Sequence, residues 1–341
     1  MQFQENYPLK NITTLSIGGP AKKFVEVNTQ KELTEAIQYA KDQALPYLII
    51  GGGSNLLVAD EGVECLVIKN EITGISATHP RGEEMRLHLG GVMVSIKSGT
   101  PLQDLVDYAI NHGLSGLQKL TGIPGTVGGA IYGNAGAYGQ TISDHITEVV
   151  ILAPTLSSVL DSIGTCPESD SGVAPLPRMT MAKEACQFSY RDSIFKKTKD
   201  TILEVIFQLE PGDPKILAEE AQDVLSKRLI KYPPGTKCPG SFFKNLVASE
   251  VSPEILKNIP QEKIVFGKLP AGALLEEVGA KGQKSDGIEI ASYHANLFIN
   301  QGTGTAKAFH NLAKIYAEKV KEKFGITLEP EVQLINLPPL I

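Results

Sequence analysis

The chain contains the segment Gly122-Ile-Pro-Gly-Thr-Val-Gly-Gly-Ala-Ile-Tyr-Gly-Asn-Ala-Gly-Ala-Tyr-Gly139, in which seven glycines stand among small, uncharged residues. Glycine lets backbone amides approach a ligand closely and adopts positive φ, at an entropic cost that a passive loop has no reason to accumulate. The residues between the glycines include Val127, Ala130, Ile131 and Ala135, where a flexible linker would carry serine or charged residues. The segment therefore predicts half of a ligand site, and a tightly packed glycine corner without a ligand is the alternative.

A second glycine cluster, Gly51-Gly-Gly-Ser-Asn55, follows the short apolar run 46–50 and precedes Leu56-Leu-Val58. The run has the length and composition of a buried strand. This pattern predicts a strand that opens into a loop of backbone amides.

A Rossmann dinucleotide site is the first hypothesis for such loops, but both segments depart from its fingerprint. The fingerprint requires a glycine where Leu56 stands, and a helix where this chain has an apolar run. In the other segment, Gly125-Thr-Val-Gly128 has the wrong spacing. Two amide-rich loops without a Rossmann pattern predict a large dinucleotide that is bound by a different fold.

Composition narrows the class of protein. A chain of 341 residues with 42% hydrophobic residues can bury more than one core, which predicts two or three domains. A net charge of -6 argues against nucleic acid or an anionic membrane surface as the partner. The four cysteines, Cys65, Cys166, Cys186 and Cys238, have no metal-ligand spacing, so we expect reduced thiols and no metal. The N-terminal residues do not resemble a signal peptide and no apolar run is long enough to span a bilayer, so we expect a cytoplasmic monomer.

The predicted elements are mixed α and β without repeats. Thr29 and Glu32 form a capping box for a helix over 30–43, and Thr100 and Gln103 form another for a helix that ends near Gly113. Further helices are predicted over 214–229 and 307–323, and strands over 24–27, 92–96, 148–152, 202–209 and 332–335. Residues 155–177, rich in serine, proline, aspartate and glycine, predict a surface excursion.

Three polar residues are candidates for chemistry. Ser241 precedes an aromatic pair, where a hydroxyl protected from water could transfer a proton, although a turn or helix cap is the simpler interpretation. Arg191 could form a forked contact with a carboxylate or phosphate, or an ordinary ion pair with Asp192. Glu331 stands at the start of the last strand, where a solvated edge charge is the simpler interpretation. Sequence spacing alone does not bring the three together.

The chain resembles the family of UDP-N-acetylenolpyruvoylglucosamine reductases (MurB) over nearly its whole length, from about residue 11 to residue 335. Five motifs in order carry the resemblance: Ile50-Gly-Gly-Gly-Ser-Asn-Leu-Leu57, Gly122-Ile-Pro-Gly-Thr-Val-Gly-Gly-Ala130 with Asn134-Ala-Gly-Ala-Tyr-Gly139, Tyr190-Arg-Asp-Ser193, Gly240-Ser-Phe-Phe-Lys-Asn245 and Leu328-Glu-Pro-Glu-Val332. The first two are shared with flavoproteins that resemble vanillyl-alcohol oxidase and imply non-covalent FAD. The last three point to the reductase.

The resemblance implies that NADPH reduces bound FAD, which then reduces the enolpyruvyl ether of UDP-N-acetylglucosamine to UDP-N-acetylmuramate in peptidoglycan precursor synthesis. Ser241 matches the family's proton donor, and Arg191 and Glu331 match its other two catalytic positions. The implied FAD contacts are Ile50, Gly51, Gly52, Gly53, Ser54, Asn55, Leu56, Gly122, Ile123, Pro124, Gly125, Thr126, Gly128, Gly129, Ala130, Asn134, Gly136 and Ala137. The implied contacts to the UDP-sugar are Tyr190, Lys231, Lys244 and Asn245.

The implied fold is α+β, with a two-part FAD-binding region of the vanillyl-alcohol oxidase type and a C-terminal α+β substrate domain. We expect an N-terminal FAD domain over 1–70, joined by the C-terminal strand within 326–341, a second FAD domain over 71–210 and a substrate domain over 211–325. Roles in cell-wall biogenesis, cell shape and cell division follow from the family.

Two features separate this chain from others in the family. It has Lys237-Cys-Pro-Gly-Ser241 where the family usually has Ser-Ala-Gly-Ser, and Tyr293-His-Ala-Asn-Leu-Phe-Ile-Asn300 resembles the second subtype, which lacks a long tyrosine-bearing substrate loop. The alternatives are another FAD-dependent oxidase of the vanillyl-alcohol oxidase type, and a protein that binds flavin or nucleotide without turnover. An oxidase has no need for Ser241, Arg191 and Glu331 together.

Overall fold

The structure, a computed structural model, describes residues 1–78, 91–152, 177–257, 259, 263–264 and 267–341. The strands are β1 (Gln4–Pro8), β2 (Pro20–Val27), β3 (Tyr47–Ile50), β4 (Leu56–Val58), β5 (Val63–Asn70), β6 (Ile75–Thr78), β7 (Val92–Lys97), β8 (Leu114–Ser115), β9 (Gly136–Ala137), β10 (Gln140–Thr141), β11 (Ile146–Leu152), β12 (Arg178–Ala182), β13 (Thr201–Pro211), β14 (Leu246–Val247), β15 (Lys268–Leu269), β16 (Lys284–Ser285), β17 (Ile288–Ile290), β18 (Phe298–Asn300) and β19 (Gln333–Ile335). The helices are α1 (Gln30–Asp42), α2 (Leu102–Asn111), α3 (Val127–Tyr132), α4 (Phe195–Thr198), α5 (Pro214–Lys231), α6 (Pro253–Leu256), α7 (Ala271–Glu277) and α8 (Ala306–Phe324).

The first sheet has the strand order β1-β2-β5-β3, and β3 runs parallel to β5. Helix α1 connects β2 to β3 and begins as the sequence predicts. The Thr29 hydroxyl accepts from the Glu32 amide at 3.2 Å, and the Glu32 carboxylate accepts from the Thr29 amide at 3.0 Å. Its apolar face is fully buried because Leu33, Ala36, Ile37 and Ala40 recur at helical spacing.

The largest sheet has the order β12-β11-β13-β7-β6, with β8 added to β13. Its strands are antiparallel neighbours, and Val92, Val94 and Ile96 of β7 all point into one buried cluster. Strands β7, β11 and β13 confirm the predicted strands at these positions. Most of the predicted excursion over 155–177 lies outside the described residues.

Helix α2 begins differently from the prediction. Its N-cap is Pro101 and receives no side-chain hydrogen bond, so the predicted Thr100–Gln103 capping box is wrong. Instead, the Thr100 hydroxyl accepts from the Gly74 amide at 3.1 Å, and the Gln103 side-chain oxygen accepts from the Gly122 amide at 2.7 Å. The Gln103 side chain, predicted to cap the helix, is therefore hydrogen-bonded to the glycine-rich segment instead.

Two compact units divide the chain. The first holds residues 1–3, 24–51 and 66–226, and the second holds residues 4–23, 52–65 and 227–341. The three-domain division expected from the sequence stays a prediction. The boundary between the units after residue 226 falls within α5.

The core of the second unit is an aromatic cluster of Phe242, Phe243, Phe298 and Phe309, each fully buried. Ring centroids of neighbouring members lie 4.8 to 6.2 Å apart. Strand β19 pairs in parallel with β4, Gln333 opposite Leu56, which agrees with the expectation that the last strand returns to the N-terminal region.

Helix α8 is held at both ends within the second unit. The Asp60 carboxylate accepts from the Ala306 and Lys307 amides at 2.8 and 3.0 Å, and Gly325, with φ of 70°, ends the helix. Among the described residues, none of the helices combines the length and the apolar character that crossing a bilayer requires.

Candidate active site

The glycine-rich segment is more regular than a loop. Helix α3 begins inside it, capped by the Thr126 hydroxyl, which accepts from the Gly129 amide at 3.3 Å. The amides of Val127 and Gly128 donate to the carbonyls of Thr100 and Ser98, both at 2.8 Å. Because Val127 and Ile131 are buried, the apolar residues between the glycines pack the core.

The two glycine segments meet in the first unit. A Cβ added to Gly51 would lie 2.1 Å from the Thr126 hydroxyl, so only glycine fits between β3 and α3. In the second unit, Gly53 has φ of +60°, and an added Cβ would lie 1.9 Å from the Ile12 carbonyl oxygen. These two glycines are required by packing within the protein itself.

Gly129 behaves differently. An added Cβ would meet nothing closer than the Thr126 hydroxyl at 3.6 Å, so the protein leaves room above this residue. Helical geometry does not require a glycine there either. Open space over a helical glycine is what close approach by a bound group would need.

An unpaired polar group in the glycine-rich segment fits a bound cofactor. Asn134 is 3% exposed, and its side-chain oxygen has no partner among the described residues. Buried donors and acceptors without partners are costly, so they favour a ligand that pairs with them. The open space at Gly129 and the unpaired side-chain oxygen of Asn134 therefore fit a bound FAD.

Arg191 lies against the predicted cofactor segment within the first unit. Its guanidinium donates to the Gly136 carbonyl at 2.7 Å and to the Asn134 carbonyl at 3.4 Å. The backbone of Arg191 is left-handed, with φ of 55°, and the Asn134 side chain donates to the Ser189 carbonyl at 2.7 Å. The structure thus brings Arg191 together with Asn134 and Gly136, and a left-handed arginine fixes the side-chain direction at some conformational cost.

Ser241 lies in the second unit on a rigid backbone. Gly240 precedes it with φ of +88°, Ser241 forms a β-bridge with Leu297, and the buried Phe242 follows. Its hydroxyl oxygen is 3.2 Å from the phenol oxygen of Tyr232.

Asn296 fixes the backbone of Phe243, the residue that follows Phe242. Its side chain accepts from the Phe243 amide and donates to the Phe243 carbonyl, both at 2.8 Å, and its own carbonyl accepts from Phe242 at 3.0 Å. Sequence reasoning missed both Tyr232 and Asn296 as neighbours of Ser241. The motif that contains Asn296 was noted only as a mark of the subtype.

Glu331 lies on the backbone segment next to Ser241. The Glu331 amide donates to the Phe242 carbonyl at 2.7 Å, and Phe243 forms a β-bridge with Pro330. Glu331 is half-buried, which argues against a fully solvated edge charge. The structure therefore pairs the backbone segments that carry Ser241 and Glu331, and the catalytic roles of both residues stay predictions. Arg191 belongs to the other unit.

The turn before Ser241 is tied to the second glycine cluster. The Asn55 side chain donates to the Pro239 carbonyl at 3.3 Å, and the Thr14 hydroxyl donates to the Cys238 carbonyl at 2.8 Å. The Thr14 amide in turn donates to the Gly53 carbonyl at 3.2 Å. These bonds hold the unusual Cys-Pro turn in place in the second unit.

The predicted substrate residues make contacts of their own. Lys244 forms an ion pair with Glu329 at 3.1 Å, and the Asn245 side-chain oxygen accepts from the Ala271 amide at 3.1 Å. The Lys231 ammonium lies 5.1 Å from the centre of the Tyr232 ring. Tyr190 lies beneath the Arg191 guanidinium at 5.4 Å. Their roles toward a UDP-sugar stay predictions.

Comparison with known proteins gives one consistent result. Residues 21–155 match a family described as FAD binding domain, and residues 232–335 match the family described as UDP-N-acetylenolpyruvoylglucosamine reductase, C-terminal domain. The chain is 37% identical to the UDP-N-acetylenolpyruvoylglucosamine reductase of Solibacter usitatus, over 96% of this chain and 95% of that one. It is 33% identical to the Synechococcus sp. (strain CC9311) enzyme of the same name, over 98% and 93%.

A solved structure agrees with these relatives. The crystal structure of UDP-N-acetylenolpyruvylglucosamine reductase (MurB) from Thermus caldophilus is similar with a TM-score of 0.68 and 29% identity, and the similarity covers 98% of this chain and 99% of that one. Together with the glycine segments and the Ser241–Glu331 pair, these similarities show that the chain belongs to the UDP-N-acetylenolpyruvoylglucosamine reductase family.

Proposed function

We propose that this chain catalyses the NADPH-dependent reduction of UDP-N-acetylglucosamine enolpyruvate to UDP-N-acetylmuramate, with FAD as its non-covalent cofactor, in peptidoglycan precursor synthesis. The main support for this reaction is that the chain belongs to the family. The observation on this chain that supports it best is the pairing of the segments that carry Ser241 and Glu331 through the 2.7 Å hydrogen bond from the Glu331 amide to the Phe242 carbonyl.

A bound FAD would supply hydride-transfer chemistry between NADPH and the terminal carbon of the enolpyruvyl group. We assign its binding to residues 50–56 and 122–130 with Asn134, Gly136 and Ala137. The open space at Gly129 and the unpaired side-chain oxygen of Asn134 support this assignment.

Ser241 is assigned as the proton donor. Its hydroxyl would give its proton to the carbon next to the substrate carboxylate once that carbon carries negative charge. A neutral serine is a weak acid, so the step depends on a strongly basic intermediate and on a hydroxyl that is held in one position. The β-bridge and the buried Phe242 provide that fixed position.

Arg191 and Glu331 are assigned to the same intermediate. A guanidinium anchored on two carbonyls is suited to stabilise the substrate carboxylate as charge develops on it. Glu331 would help to stabilise this intermediate beside Ser241. Tyr190, Lys231, Lys244 and Asn245 are proposed to contact the UDP-sugar.

We further propose that the protein works as a cytoplasmic monomer and contributes to cell shape and cell division through cell-wall biogenesis. Nucleic acid is not a proposed partner, because the net charge of -6 offers little attraction to a polyanion.

The experiment separates the two half-reactions by following flavin absorbance in an anaerobic stopped-flow instrument. Wild-type protein should bleach with NADPH and recover colour on addition of the enolpyruvyl substrate. Ser241→Ala should bleach at a near-normal rate but recover about a hundredfold to ten-thousandfold more slowly. The matched control is Ser226→Ala, which removes an exposed hydroxyl from α5 and should leave both rates unchanged.

Three results would contradict the proposal. Recovery of colour with oxygen but not with the enolpyruvyl substrate would indicate an oxidase. A flavin that is not reduced by NADPH would indicate a binding protein. If Ser241→Ala slowed bleaching and left recovery intact, the serine would belong to the nicotinamide or flavin site.

A further inference from the structure

The Ser241 hydroxyl has one hydrogen-bond partner among the described residues, and that partner is a phenol. The Ser241 and Tyr232 oxygens are 3.2 Å apart. A hydroxyl carries one donor and two acceptor sites. If Tyr232 donates, Ser241 accepts and keeps its own proton available for another acceptor.

The local chain is built to bring these two residues together. Tyr232 follows α5 directly, and its amide donates to the Arg228 carbonyl at 2.7 Å. A tight turn then reverses the chain: the Thr236 amide donates to the Pro233 carbonyl at 3.1 Å, and Gly235 has φ of 82°. The Asn300 amide fixes the returning strand by donating to the Lys237 carbonyl at 2.9 Å.

Two cations lie against the Tyr232 ring. The Arg228 guanidinium carbon is 5.3 Å from the ring centre, and the Lys231 ammonium nitrogen is 5.1 Å from it. Positive charge at a phenol ring stabilises negative charge that develops on the phenol oxygen. Tyr232 is also half-exposed, so water can reach it.

A serine that gives up its proton becomes an alkoxide, which is a high-energy species unless another donor replaces the proton. A phenol is a far stronger acid than an aliphatic alcohol, so a hydrogen-bonded tyrosine is a suitable replacement donor. Without it, part of the energy of the alkoxide adds to the barrier of the protonation step.

We propose that Tyr232 is a positioning residue for Ser241 and supplies the proton that replaces the one Ser241 donates. This inference rests on the proposed function. The carbanion's electron pair forms the new C–H bond as the Ser241 O–H bond breaks, and the Tyr232 O–H bond breaks as the Ser241 O–H bond re-forms. The resulting phenolate recovers its proton from water.

The test uses Tyr232→Phe in the FAD-loaded protein, because phenylalanine keeps the ring against Arg228 and Lys231 and removes only the hydroxyl. Stopped-flow absorbance should show flavin reduction by NADPH at the wild-type rate and reoxidation by the enolpyruvyl substrate at least about tenfold slower. The matched control is Tyr108→Phe, a half-buried tyrosine whose ring stacks on His112 in the first unit, and both of its rates should stay normal.

A second readout separates proton transfer from a merely structural role. In mixtures of H₂O and D₂O, the rate of flavin reoxidation is plotted against the fraction of D₂O. The plot for the wild-type protein should be curved, because two protons move in the step, and the plot for Tyr232→Phe should be a straight line. Normal reoxidation of Tyr232→Phe, equal slowing of both half-reactions, or a straight line for the wild type would each overturn the role of Tyr232. Failure of the wild type to reoxidise with the substrate would instead overturn the proposed function, and this inference with it.

Discussion

Replacing Asn296 by alanine should destabilise the second unit and disturb the site at the same time. The Asn296 side chain is 2% exposed and makes two 2.8 Å hydrogen bonds to the backbone of Phe243, which is itself fully buried. Alanine would remove both partners without letting water reach the amide and carbonyl of Phe243.

The magnitude follows from these two groups. A buried polar group that loses its partner costs about 1–3 kcal/mol, so two of them give about 2–6 kcal/mol. The lost side-chain volume adds a smaller cavity term of the same sign. We therefore expect the free energy of unfolding to fall by about 3 kcal/mol or more.

Urea unfolding followed by far-UV circular dichroism measures this loss, since the chain contains no tryptophan to serve as a fluorescence probe. The matched control is Asn311→Ala on the exposed face of α8, which should change the free energy of unfolding by about 0.5 kcal/mol or less. Flavin reoxidation by the enolpyruvyl substrate should slow in Asn296→Ala, because Phe243 follows Ser241 by two residues.

A loss below about 0.5 kcal/mol for Asn296→Ala would refute the reasoning, because it would mean that the Phe243 backbone finds other partners at little cost. A large loss of stability with an unchanged rate of reoxidation would show instead that Asn296 supports the fold but does not position Ser241.

The remaining predictions concern glycine and histidine. Gly129→Val should lower the FAD content of the purified protein with little effect on the melting temperature of the apoprotein. Gly53→Ala should instead lower that melting temperature by several degrees, because only Gly53 is confined by backbone. Equal effects of the two substitutions on the melting temperature would contradict this distinction. Burial, and then the charge of Lys231, lower the pKa of His294 to about 4. Since this pKa is depressed in the folded state, stability should fall between about pH 6.5 and pH 4 by on the order of 2 kcal/mol, and His294→Gln should flatten that fall in urea unfolding measured across the range.

Local signals in the sequence predicted local structure well. The Thr29–Glu32 capping box is confirmed because it depends on residues within one turn of the helix. The Thr100–Gln103 box satisfied the same local rule and is wrong, because Gly122, distant in sequence, competes for the Gln103 side chain. A capping rule cannot anticipate a competitor that tertiary structure supplies.

The candidate site shows the same limit more strongly. The family resemblance implied Ser241 and Glu331, and the structure brings their backbone segments together. Tyr232 could not be predicted from the sequence, because a tyrosine after a helix carries no distinctive pattern and its contact with Ser241 depends on the turn at Pro233 and Gly235. Likewise, the sequence alone does not distinguish one glycine of these segments from another. Only the packing around them shows that Gly53 is confined and that Gly129 faces open space.

The pairing of β19 with β4 has a consequence for biosynthesis. Residues 56–58 leave the ribosome early but acquire their parallel neighbour only when residues 333–335 have been made. Residues 66–226 form a continuous stretch of the first unit and can begin to fold while the rest is still being translated. The second unit instead cannot complete the strand pairing of Leu57, a residue of its buried core, until residues 333–335 have been made. A chain that lacks residues 333–335 would therefore have an unpaired β4, which chaperones and proteases would recognise.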